Sequence, residues 1–170
     1  MGDNEVVKKK IPVRKIFDFL LTFVIVYIAL RLFFTFAFAM FAVSGDSMLP
    51  TLENSDMIVC ARFGEPEVGD IIVFKKDNVE LTKRVVATEG DTVEVTPDGR
   101  VVVNGEEVNA AGREIAEADQ WDYPVDGVPE GYVFVLGDNR EVSIDSRFAE
   151  IGLVSLDDVE GIRIFTLPLI

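Results

Sequence analysis

A serine with a lysine is the one economical nucleophile–base pair that elimination leaves in this sequence, and Ser47 and Lys83 are the candidates for it. The 170 residues include no histidine and one cysteine, Cys60. Ser-His and Cys-His nucleophiles, histidine-ligated zinc and HExxH hydrolysis are therefore excluded. A single cysteine also excludes an internal disulfide and a CxxC site. Reactive groups must come from Ser, Thr, Lys, Asp, Glu, Tyr or Arg.

Three stretches hold such groups in suggestive patterns. In Ser44-Gly45-Asp46-Ser47-Met48-Leu49-Pro50-Thr51-Leu52, Gly45 permits close backbone approach, Pro50 stiffens the exit and Ser47 is displayed between them. The same composition also suits a plain connecting loop. In Val79-Glu80-Leu81-Thr82-Lys83-Arg84-Val85-Val86, period two puts Val79, Leu81, Lys83 and Val85 on one strand face. Lys83 is the odd member of that apolar face. It is either an inward charge that protects a sheet edge or a desolvated amine held toward its neutral form. At its ordinary pKa of about 10.4, a lysine is well under about 1% neutral at pH 7; a pKa of about 8 would make roughly a tenth neutral. Such an amine can serve a serine as general base. Lys75 and Lys76 run into the Asp77-Asn78 turn and are expected to be solvated. In Gly137-Asp138-Asn139-Arg140-Glu141-Val142-Ser143-Ile144-Asp145-Ser146-Arg147, the bland reading is a polar loop of Asx turns and ion pairs. The functional one makes Asp145 and Arg147 an orienting pair and lets Ser143 offer its hydroxyl to the amine. Calcium-loop spacing is absent.

These residues need elements to hold them. Residues 1–15 carry a net +3, and the remainder carries −17. The basic tail precedes the apolar run Ile16–Leu30, and a second run, Leu32–Ala42, follows Arg31. From Phe19 to Ala42 only Arg31 is charged. A spanning helix needs about 20 such residues. The expected anchor and interfacial segment is 16–42, with its span beginning near Pro12 and Asp18 at the inner interface. Ile16–Leu30 alone gives about 22 Å of helix. Arg31 is expected near the outer interface, where it can snorkel, with Leu32–Ala42 along the outer leaflet. The positive-inside rule keeps residues 1–15 cytoplasmic and puts 43–170 outside. A cleaved signal peptide, with Ala37-Phe38-Ala39 as its small-x-small triplet, and a buried core helix are the competing readings.

Beyond Ala42 the pattern changes to short Val- and Ile-rich runs at 57–62, 70–76, 79–87, 92–96, 100–103, 132–136 and 161–166, separated by turn signals. This predicts an all-β domain. Asp98-Gly99 and Asn104-Gly105 predict hairpins. Helical scraps are expected only at 113–119 and after Ser155. The acidic balance argues against nucleic acid, which requires a basic footprint.

Taken together, Gly45-Asp46-Ser47-Met48-Leu49-Pro50-Thr51-Leu52 resembles the nucleophile box of bacterial type I signal peptidases. Pro66–Phe74 is similar to that family's strand entry, Lys83-Arg84-Val85-Val86 with Gly90-Asp91 to its lysine box, and Gly137–Arg140 with Ser143–Arg147 to its third box. The boxes fall in the right order over nearly the whole chain. The resemblance implies a mostly β fold: an N-terminal transmembrane helix followed by a β-rich signal-peptidase-like catalytic domain, its apolar surface resting on the outer leaflet of the cell membrane. It implies Ser47 as nucleophile, Lys83 as general base, Ser143 orienting the amine, Asp145 and Arg147 holding the site, and Arg84 in a structural role. It places substrate pockets at Phe41, Val43, Met48, Leu52, Leu81 and Thr82. The implied reaction removes signal peptides from preproteins after a small-x-small motif, with no cofactor or metal. The implied partners are signal peptides and membrane lipid. Substrate would pair with flanking strands by β-augmentation.

Gly45 departs from the members that have a serine there to help bind the oxyanion, and matches the form typical of Gram-positive bacteria. The backbone N–H of Ser47 is then the expected donor, and one missing donor can be worth about 10²–10³ in rate. The small domain that enlarges some members is expected to be absent. Ala37-Phe38-Ala39 is expected to resist self-cleavage because Leu32–Ala42 should be docked. The alternatives are an anchored β-domain without catalysis and a self-cleaving Ser/Lys regulator; the anchor and the acidity oppose the latter.

Overall fold

The computed structural model describes residues 13–96, 98–108 and 125–168. The chain divides into two compact units, Met1–Phe36 and Ala37–Ile170.

The described residues of the first unit belong to helix α1, Val13–Ala37, which has no buried residue. An apolar surface left uncovered along the whole helix suits a lipid environment rather than a protein core. Its 25 residues span about 37 Å, against a hydrocarbon core of about 30 Å. The helix does not break after Arg31, as the two-run reading expects. The hydroxyls of Thr22 and Thr35 donate to the carbonyls of Asp18 and Arg31, each at 2.8 Å, which satisfies them within the helix.

The second unit is built of strands β1 (Phe38–Ala42), β2 (Met57–Ala61), β3 (Ile71–Lys76), β4 (Val79–Ala87), β5 (Val93–Val95), β6 (Val101–Val103), β7 (Glu106–Glu107), β8 (Tyr132–Leu136), β9 (Val154–Ser155) and β10 (Val159–Leu167). One sheet has the order β1-β2-β10-β3-β4-β8-β9, and β5-β6-β7 form a second. All the Val/Ile runs singled out in the sequence are strands. The turn after Ser155 is a short 3-10 helix, Leu156–Asp158, capped by the Ser155 hydroxyl, which accepts from Asp157 N at 3.2 Å. The expected helical scrap at 113–119 lies outside the described residues.

Phe38–Ala42, grouped by composition with the anchor, is instead the edge strand β1. It pairs antiparallel with β2, from Phe38 opposite Ala61 to Ala42 opposite Met57. Composition cannot separate this segment from the helix before it, because both are rich in Phe and Ala. What differs is a partner strand about 20 residues downstream.

Continuous apolar runs become strands buried on both faces. In β3, Ile71 and Val73 enter one cluster with Val43, Met48, Leu52, Ile58 and Cys60. Ile72 and Phe74 enter another with Val85, Val133, Val135, Ile151 and Val154. In β8, Val133 and Val135 join that second cluster, while Phe134 and Leu136 join a third with the valines of β5 and β6. β3 and β8 lie on either side of β4, so the lysine strand sits between two doubly buried neighbours.

The ladder also bears on the Ala37-Phe38-Ala39 triplet. Phe38 and Ala39 are held opposite Ala61 and Cys60, and the Ala37 carbonyl accepts from Arg62 N at 2.9 Å. Processing there would require an extended, unpaired segment. Intact-mass measurement of the purified chain should show no species beginning at Met40; such a species would mean that β1 opens readily.

Candidate active site

Lys83 lies on β4 opposite Ile72 of β3. The pairing of β4 with β8 begins only at Arg84, opposite Leu136. The β8-side edge of β4 is therefore unpaired at Lys83, which leaves room for another chain segment to approach its amine. That segment is the loop after β1. It is pinned by Val43 N to the Asp56 carbonyl at 2.8 Å and Gly45 N to Asn54 Oδ1 at 2.9 Å. It closes in a tight turn, with Thr51 N and Leu52 N both donating to the Met48 carbonyl. Gly45 has φ +83° and open space around it. Backbone conformation rather than crowding thus calls for glycine there, and a serine would be strained.

The result is a short contact between the two candidates: Lys83 Nζ lies 2.9 Å from Ser47 Oγ. The amine also donates to the Thr82 carbonyl at 3.0 Å. Lys83 is 3% exposed. Burial drives its pKa below the ordinary lysine value, and the nearby Asp145 carboxylate only partly offsets this. Lys75, by contrast, is exposed, while Lys76 Nζ is taken up by the Ile151 carbonyl at 3.2 Å.

The third loop closes the site from the β8 side. Asn139 N donates to the Ser47 carbonyl at 2.9 Å, and its amide nitrogen to the Asp46 carbonyl at 3.1 Å. Asp145 and Arg147 are both fully buried and form a two-pronged pair, Nε to Oδ1 at 2.8 Å and Nη2 to Oδ2 at 3.0 Å. The same carboxylate accepts from Gly137 N at 3.0 Å. Arg84 makes a second two-pronged pair with Asp138, at 2.8 and 2.6 Å, and donates to the Gly69 carbonyl at 2.7 Å. Burial pushes the Asp138 carboxyl up, but hydrogen bonds from Arg84 and Thr51, together with the charges of Arg84 and Arg140, outweigh it and hold the carboxyl below the usual range.

Ser143 is fully buried at this junction, and its hydroxyl has no hydrogen-bond partner among the described residues. The expected bond from Ser143 to the Lys83 amine is not formed. Of the expected pocket residues, Phe41, Val43, Met48, Leu81 and Thr82 line one cleft with Ser47 and Lys83. Leu52 does not; it is fully buried in a core cluster with Val43, Met48 and Ile58. Ala42, Ser44, Val73 and Glu80 also line the cleft and were not legible, because strand register decides which residues face it.

Gly137 is the residue that sequence reasoning passed over. A Cβ there would overlap the Ser143 hydroxyl and lie 2.6 Å from the Ser47 carbonyl oxygen. Only glycine lets β8 end against both loops. Gly137→Ala is expected to lower Ser47 reactivity about 100-fold by displacing it, read as acylation by an activated ester beside a thermal melt. Unchanged reactivity in the folded variant would show that the loops absorb the methyl group.

Comparison with known proteins supplies the family. A family profile described as "Signal peptidase, peptidase S26" matches residues 16–167. The chain is 35% identical over 174 residues to "Signal peptidase I S" of Bacillus subtilis strain 168, covering 95% of this chain and 91% of that protein. It is 32% identical to "Signal peptidase I P" of Bacillus subtilis subsp. natto, covering 96% and 92%. It is 40% identical to "Probable signal peptidase I-1" of Synechocystis sp., over 62% of this chain and 59% of that one. This chain belongs to the signal peptidase I family, peptidase S26, the enzymes that remove signal peptides from exported preproteins.

Proposed function

We propose that the chain is a membrane-anchored endopeptidase that cuts preproteins after a small-x-small motif with a Ser47/Lys83 dyad. The observation that carries this reading is the 2.9 Å contact between Ser47 Oγ and an amine that is 3% exposed. Neutral Lys83 takes the Ser47 proton as Oγ attacks the carbonyl carbon of the cleaved bond. The backbone N–H of Ser47 faces the developing oxyanion. The protonated amine then returns its proton to the leaving nitrogen, and an ester to Ser47 remains. Water, deprotonated by Lys83, hydrolyses that ester and frees the serine. Ser143, Asp145 and Arg147 act by position: the carboxylate holds the end of β8 at Gly137, and the buried Ser143 hydroxyl is available to the amine once substrate moves it.

Preference for small side chains is supported by the cleft itself. It encloses about 40 Å³ between Phe41, Val43, Met48, Leu81 and Thr82. The exposed edges of β1 and of β4 are suited to pair with an extended substrate on either side.

The anchor is α1, crossing with residues 1–15 in the cytoplasm and the β unit outside, by the positive-inside rule. Contact of the β unit with lipid is supported by the outer sheet face. Met40, Val59 and Phe165 form one cross-strand row there, and Ala42, Met57 and Leu167 the next. Met40, Phe165 and Leu167 are exposed, and neither row carries a charge. Anchoring holds Ser47 at the depth where an inserted signal peptide ends and raises its effective concentration.

The test is cleavage of a preprotein bearing an Ala-x-Ala site in liposomes. Ser47→Ala is expected to fall to background, and Lys83→Met to lose about 10²–10⁴-fold with the fold intact. Activity of a folded Ser47→Ala protein would remove the assignment. The pH dependence has a definite sign. The folded-state pKa of Lys83 is lowered and the unfolded value is ordinary, so between the two the unfolded chain binds more protons. Stability relative to Lys83→Met should therefore rise with pH through that window, and cleavage should rise as the amine deprotonates. Denaturant melts across pH measure this; a falling difference would mean that the fold favours the charged amine.

A further inference from the structure

Among the described residues, the cleft wall carries two charged side chains, and both come from β4. Lys83 stands at the Ser47 end, its amine 2.9 Å from Oγ. Glu80 lines the same cleft three positions earlier on the strand. Register puts its side chain on the cleft side of the sheet. Residues directly opposite across a ladder share a face, and so do residues two apart along a strand. Val73 pairs with Thr82, and Lys75 with Glu80. Val73 packs in one cluster with Val43 and Met48, and all three line the cleft with Thr82. Glu80 is therefore the next side chain along the face that forms the cleft wall. It is exposed, and its carboxylate has no ion-pair partner among the described residues. Lys75, opposite it, is exposed as well and forms no ion pair with it.

We infer that Glu80 makes the cleft select by charge: it favours a cationic side chain, and disfavours an anionic one, on the two substrate residues just ahead of the small-x-small triplet. The inference rests on the Ser47 reading. The acyl half of the substrate lies along the cleft, because its small side chains are the ones that a space of about 40 Å³ fits. Three strand residues cover about 10 Å. A substrate paired along the β4 edge, with its cleaved carbonyl at Ser47 Oγ, covers that distance with the triplet itself. The residues ahead of the triplet then arrive at the Glu80 carboxylate. A lysine or arginine there meets this charge while its head group stays in water. An aspartate or glutamate there meets a like charge that nothing on the wall neutralises.

Three peptides alike except for Lys-Lys, Gln-Gln or Glu-Glu just ahead of an Ala-x-Ala triplet test this, cut by the full chain in a non-ionic detergent. At low ionic strength kcat/KM should be about fivefold higher for Lys-Lys than for Glu-Glu, with Gln-Gln between them. At about 1 M salt, where the Debye length is about 3 Å, the ratio should shrink toward one. Glu80→Gln should bring the low-salt ratio close to one, and Glu80→Lys should invert it. Equal cleavage of the three peptides by the unaltered chain would overturn the inference and leave the Ser47 reading intact. So would a preference for Lys-Lys that survives in the folded Glu80 variants. Should neither variant fold, the salt series decides, since a preference that persists at high salt is not one of charge. Cleavage of none of the peptides by the unaltered chain would remove both readings.

Discussion

The buried pair of Asp145 and Arg147 is the interaction on which the rest of the site hangs. Both side chains are fully buried, so each would be very costly alone. Their mutual geometry leaves little unsatisfied: two guanidinium nitrogens meet the two carboxylate oxygens, and the Gly137 N–H and the Arg140 carbonyl take further bonds. Breaking such a pair by removing one partner typically costs about 3–5 kcal/mol. Here the cost would fall on function as well as stability. The carboxylate fixes the end of β8, and that end fixes how closely Ser143 and the Ser47 loop approach each other.

Lys83 is poised by two opposed influences from this arrangement. Burial favours the neutral amine, while Asp145 favours the ammonium. A general base needs the neutral form before reaction and a tolerable charged form after it. A buried amine within the field of a carboxylate already paired to Arg147 meets both demands. Cys60 shows the opposite case. It is fully buried under β10, with Gly161 packed so closely that an added Cβ would lie 2.7 Å from its Cβ. Burial pushes its thiol up to about 11, with Arg163 opposing weakly. A thiol so placed is inert, and the nucleophile has to be sought elsewhere.

Much of the architecture was legible because its signals are local. The Val/Ile runs and the turns between them marked β2 to β6, β8 and β10, and the alternation along 79–87 marked Lys83 as an inward charge before any partner was known. Two places were not legible. β1 carries the same Phe and Ala as the helix before it, and only pairing with β2 makes it a strand. Leu52 sits in the right stretch for a pocket residue, yet the turn at Met48 directs it into the core.

The sequence by itself determined which chemistry was open to this protein. A chain without histidine and with one cysteine has few nucleophiles and fewer bases, and residue type alone carries that conclusion. It also determined the apolar helix and the β-rich remainder, since composition and period are properties of contiguous residues. Only the tertiary structure decided that Ser47 and Lys83, 36 positions apart, lie 2.9 Å from one another. It likewise decided that Gly137 must lack a side chain. Proximity between distant segments depends on strand register and on a buried ion pair, and neither is written in the residues that they bring together.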